Sequence, residues 1–168
     1  MLKNPSYVQL FTYTEEMSHG EYMKNTLKSI NTFEEVINYL HSDYEESATK
    51  IHSQDLTNSY KISLLQTTSA TVLANLIPFL RSKLGEQLDN LPEVLDKKNH
   101  DYGNSFDKLV NMYGDVAMSI RISDKLSRLD SLVNQNNVAQ VNESINDTLL
   151  DLAGYLLLAM HYAPEEGS

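Results

Sequence analysis

The chain has no cysteine. That absence excludes a disulfide framework, thiol catalysis and thiolate metal sites together. Its five histidines (His19, His41, His52, His100 and His161) fall at no paired zinc-ligand spacing. Positive charge is also short: 13 Lys and Arg stand against 23 Asp and Glu, a formal net charge of −10. So acidic a chain is not expected to bind duplex nucleic acid, which calls for a basic footprint. Small phosphorylated ligands stay open, because a local basic cluster or a metal can hold them on an acidic protein. No run of about 18 apolar residues offers a membrane span, and no basic-then-apolar leader opens the sequence. The expectation is a cytoplasmic protein without a membrane partner.

Proline and glycine are scarce, four and six residues, and alternating strand patterns are missing. With 41% apolar residues to build a core, the expected fold is an all-α helical bundle. Tyr7, Leu10, Phe11 and Tyr13 can dock an N-terminal arm, which Ser18-His19-Gly20 ends. Asn31 with Glu34 three residues on reads as a capped helix start, followed by the apolar face Phe33, Val36, Ile37 and Leu40. The acids Asp43, Glu45 and Glu46 read as a solvated stretch. A long helical pattern runs from Leu56 to about Leu91. Pro78 should kink or divide it near Ile77, and Gly85 weakens it again. Asn90-Leu91-Pro92 reads as a new helix start. Lys98 to Phe106 reads as a loop, and Gly114 opens a helix to about Val133. That helix should bury Val116, Ile120, Leu126, Leu129, Leu132 and Val133. The polar connector Asn134-Gln135-Asn136-Asn137 then leads to the last helix. Texture divides the chain into a helical region at 1–90 for packing or oligomerisation, a core at 91–163 and a loose tail at 164–168.

Chemistry concentrates in the second half. On the last helix Glu143, Asp147 and Asp151 recur every four residues, so they form one slanting stripe. Carboxylates at that spacing repel, and Asp is a poor mid-helix residue. The helix N-terminus accounts for Glu143 but poorly for Asp151, two turns in among leucines. A divalent cation would compensate them, since hard cations take oxygen ligands. Arg121, Asp124, Lys125 and Arg128 share one face of the preceding helix. Arg offers a planar fork to phosphate oxygens, Lys a point charge and Asp124 a further carboxylate. So short a connector should pack the two helices antiparallel, with the stripes facing across a cleft. In the loop, Lys98 and His100 suit phosphate or base, and Tyr102 or Phe106 suits stacking. A blander alternative is that the stripes simply neutralise each other.

The ordered series Lys98-x-His100-Asp101-Tyr102-Gly103-x-Ser105-Phe106, Arg121-x-x-Asp124-Lys125-x-x-Arg128 and Glu143-x-x-x-Asp147-x-x-x-Asp151 resembles the nucleotide-modification-associated domain of the first type. That family, mainly phage and bacterial, is similar in turn to the all-α nucleoside triphosphate pyrophosphatases, the MazG and dimeric dUTPase group. The resemblance covers residues 95–162 and implies a MazG-like core that is often oligomeric. It further implies Mg²⁺ held by Glu143, Asp147 and Asp151, catalytic roles for Asp124, Asp147 and Asp151, and a nucleotide on Lys98, His100, Asp101, Tyr102, Arg121, Lys125 and Arg128. The superfamily's first metal helix carries a Glu-Glu-x-x-Glu cluster, whereas this chain places Arg121, Asp124, Lys125 and Arg128 there. Two functions follow as expectations. One is a Mg²⁺-dependent nucleotide pyrophosphohydrolase. The other is a non-catalytic protein of the same fold that sequesters a nucleotide-derived immune signal, in the host cytoplasm if phage-encoded.

Overall fold

A computed structural model describes residues 5–20, 29–102, 104–134 and 138–164, except the side chains of 99–102 and 138–143. Every regular element among them is helical, and they pack as an all-α bundle. Helix α1 spans Tyr7–His19. Its Ser6 cap accepts from the Gln9 N–H, while the Gln9 side chain accepts from the Ser6 N–H. Tyr7 and Phe11 are buried and Tyr13 is 56% exposed, so the arm docks through the first two. The Tyr7 N–H also donates to the Asp96 carboxylate at 3.3 Å, and its ring stacks on His161 at 4.1 Å.

Helix α2 (Phe33–Tyr39) passes through a π turn (Leu40–Glu45) into α3 (Glu46–Ser53). Val36, Leu40, Tyr44 and Ala48, all buried, recur every four residues. That interval exceeds an α-turn and would drift around the axis. The wider i→i+5 turn keeps them on one face. The cap differs by one residue from the sequence expectation. Thr32 accepts from the Glu35 N–H at 3.1 Å, and the Glu35 carboxylate accepts from the Asn31 N–H at 3.3 Å. Asn31–Glu34 and Thr32–Glu35 present the same pattern, and the second register is the one used.

The long pattern becomes α4, Asn58–Leu84, which runs unbroken through Pro78. Pro78 is on the exposed side of the helix. Gly85, at φ 55°, ends the helix. By composition α4 is long and apolar enough to cross a membrane, with mean hydropathy 1.2 over its most apolar window. Here it packs against α1 and the helices that follow. The next helix, α5, spans Glu86–Tyr102. It therefore starts at Gly85 rather than at Pro92, which lies inside it, and it extends over most of the expected loop. Gly103 and residues 135–137 lie outside the described residues, as do residues 165–168 of the tail. Helices α6 (Ser105–Tyr113), α7 (Asp115–Val133) and α8 (Val138–His161) complete the bundle.

Helix α8 touches α1, α4, α5 and α7. Its Leu149, Leu152, Ala153, Leu156, Leu157 and Ala159 are each no more than 1% exposed. Gln66 on α4 closes its end, its amide donating to the carbonyls of Ala159 at 3.0 Å and Tyr162 at 2.8 Å. Helix α7 buries Met118, Ile122, Leu126 and Leu129. Val116 and Ile120, expected inside, are 46% and 56% exposed, because they lie about half a turn away from Met118 around the axis.

Gly114 joins α6 to α7 at φ 82°. A Cβ there would stand 2.8 Å from Asn58 Oδ1, the atom that accepts the Asp115 N–H at 2.9 Å and so caps α7 from another helix. Backbone strain and a displaced cap would combine. Gly114→Ala should therefore cost about 2 kcal/mol or more in denaturant unfolding. Gly85→Ala, with nothing within 4 Å of its Cβ, should cost clearly less.

Candidate functional site

A cleft of about 580 Å³ opens where α5, α6, α7 and α8 meet. The helical repeat explains its walls. On α8, Leu150, Gly154 and Leu158 lie one turn apart, as do Asp151 and Tyr155. On α5 the contributors are Leu91, Val94, Leu95 and Lys98. Ser105, Phe106 and Leu109 of α6 form a third side, and Arg121 of α7 a fourth. Phe106 and Tyr155 meet at the corner, ring centroids 6.3 Å apart and tilted by 36°. A Cβ on Gly154 would sit 3.8 Å from Leu91 Cδ1, an ordinary contact. Packing therefore does not require glycine at this position, and its small size widens the cleft.

A second, open groove of about 490 Å³ lies along α7, bordered by Asp124, Lys125, Ser127, Arg128, Ser131 and Leu132. Between groove and cleft stands one ion pair. Lys125 Nζ lies 3.2 Å from Asp151 Oδ2, with the lysine side chain 21% exposed and the aspartate 55%. The site thus has an apolar compartment large enough for a base and sugar. It also has basic residues suited to phosphate oxygens, Lys98 and Arg121 in the cleft and Lys125 and Arg128 in the groove.

The structure brings Lys98, Arg121 and Asp151 to the cleft, and Asp124, Lys125 and Arg128 to the groove. Asp147 is exposed, one turn before Asp151 on α8. The backbone of His100, Asp101 and Tyr102 belongs to α5, but their side chains, and that of Glu143, lie outside the described residues. Mg²⁺ calls for several hard oxygen ligands converging on one point. Among the described residues no three acids or histidines come together as metal ligands, and Asp151 is held by an ammonium. The described carboxylates do not compose a preformed metal site.

Sequence reasoning did not anticipate the wall of Leu91, Val94, Leu95, Leu109, Leu150 and Leu158, because leucines at helical spacing look the same whether they face a core or a cleft. Gly154, alone in an apolar helix, was the available signal. Another constellation also went unread. His52 Nδ1 pairs with the Asp115 carboxylate, and its Nε2 lies 2.7 Å from Ser119 Oγ. The order resembles a hydrolytic triad. However, Ser119 is only 6% exposed, sits within a helix whose amides are engaged, and also approaches the Val116 carbonyl at 3.2 Å. The arrangement pins α3 to α7.

Residues 98–161 match the family model described as nucleotide modification associated domain 1. The match begins with the last turns of α5 and runs through α8, so it contains every charged residue of the cleft and groove. No curated protein and no solved structure matches the chain.

Asp107 on α6 is buried at 9% exposure, and its Oδ1 has no hydrogen-bond partner. Burial raises its carboxyl to about 6. Between about pH 4 and 6 the folded protein keeps a proton that the unfolded chain has released, so stability falls as pH rises through that window. Asp107→Asn should remove this slope. The variant should be more stable than the parent by about 1–3 kcal/mol at pH 7 and show little difference near pH 3.5, measured by denaturant unfolding at each pH.

Proposed function

We propose that this protein binds a nucleotide, its base against the apolar wall of the cleft and its phosphates on Arg121, Lys125, Lys98 and Arg128. Binding without hydrolysis is the primary reading, and the Lys125–Asp151 pair carries it. An ammonium stands beside the acid that a metal site would need, while Lys98 and Arg121 line the cleft and Lys125 and Arg128 the groove next to it. The match of residues 98–161 to a nucleotide modification associated domain supports a nucleotide as the ligand. The finer reading is a phage-type protein, related in fold to the MazG group, that sequesters a nucleotide-derived signal in the cytoplasm and works as a homo-oligomer.

The second reading is Mg²⁺-dependent pyrophosphohydrolysis. Asp147 and Asp151, one turn apart on α8 and near the end of the cleft, favour it, as does the preceding acid Glu143. The two readings separate in one assay. Purified protein is incubated with a mixed nucleotide pool, including cyclic and ADP-ribose-type signals, with and without Mg²⁺. Free small molecules are then analysed before and after heat denaturation. Capture predicts a nucleotide that vanishes from solution and returns intact, with Arg121→Ala weakening its retention about tenfold. Hydrolysis predicts monophosphate and pyrophosphate only with Mg²⁺, abolished by Asp151→Asn.

A further inference from the structure

We infer that the Lys125–Asp151 ion pair is a placeholder: Asp151 occupies the anion position on Lys125, and the phosphate of the ligand must displace it. The inference rests on the nucleotide reading above. Asp151 borders the apolar cleft, and Lys125 borders the groove that also holds Arg128. The pair, at 3.2 Å, therefore stands between the compartment for the base and the groove for charge.

The partners are unequal. Lys125 is 21% exposed and Asp151 55%, so the ammonium is the held member and the carboxylate the one with room to turn toward water. A half-exposed pair is weakly bound. A phosphate dianion brings more charge and more oxygens to Lys125 than one carboxylate does. A neutral ligand, or a monoanion no stronger than Asp151, gains little by the exchange. The placeholder thus selects phosphate dianions and polyphosphates. It also holds their affinity below what the basic residues alone would give, because the displaced carboxylate stays nearby and part of the population keeps Lys125 occupied.

Calorimetric titration with inorganic pyrophosphate in chelator tests this on the parent, Asp151→Asn, Lys125→Gln and the double variant. Asp151→Asn should bind about five- to tenfold more tightly, and Lys125→Gln more weakly. In the Lys125→Gln background the gain from Asp151→Asn should vanish. The same four proteins are titrated with the nucleotide recovered from the mixed pool. Thermal melts of all four should stay close to the parent, so that affinity and folding are read separately. If Asp151→Asn, still folded, binds no more tightly than the parent, or if its gain survives without Lys125, the placeholder is overturned while the nucleotide reading stands. Absence of binding by every protein to both probes overturns the two together.

Discussion

Burial of α8 on nearly every side is the constraint from which the rest follows. Its second half presents leucine and alanine all round, and such a helix is stable only when enclosed by others. Helices α1, α4, α5 and α7 provide that enclosure. Asp147 and Asp151 lie on a face that is not enclosed, because a buried carboxylate would lose water without compensation. The cleft lies at the transition, where Leu150, Asp151, Gly154 and Tyr155 follow one another. The candidate site is set where an apolar helix begins to carry charge.

That placement explains the mixture of chemistry in the cleft. The apolar wall is an extension of the core that no side chain fills, and Gly154 keeps it open. The charged edge is where α7 turns its polar face toward α8. Lys125 and Asp151 neutralise each other across this boundary. Pairing of the stripes and service to a ligand were separate alternatives at the level of sequence. In the folded protein they are compatible, since a weak, half-exposed pair can stand in for a stronger partner.

The fold was legible wherever a single physical signal dominated. Few breakers and no alternation gave an all-helical chain, and Tyr7 with Phe11 marked an arm that docks. Boundaries were less legible where two signals competed. Gly85 and Pro92 both qualify as a break, and the glycine is the one used, at φ 55° between α4 and α5, with Pro92 inside α5. Asn104 and Gly103 suggested a loop reaching back to Lys98, yet helix α5 continues through Tyr102. Val116 and Ile120 had the right residue type and the wrong side of the axis. The charged residues of the site were found because charge is conspicuous on an amphipathic helix. Its apolar wall was not, since helical spacing does not distinguish a buried leucine from one lining a cavity.

The docking of α1 has a consequence for how the chain is assembled. Tyr7 stacks on His161, its backbone is capped by Asp96, and Thr14 reaches the sulfur of Met160. The seat of α1 is thus built in part from residues far along the chain, Thr14 and Met160 being 146 positions apart. A chain grows from its N-terminus at several residues per second, so Tyr7 and Phe11 wait exposed until α8 has emerged. Contacts this distant along the chain form late because their loop must first be closed.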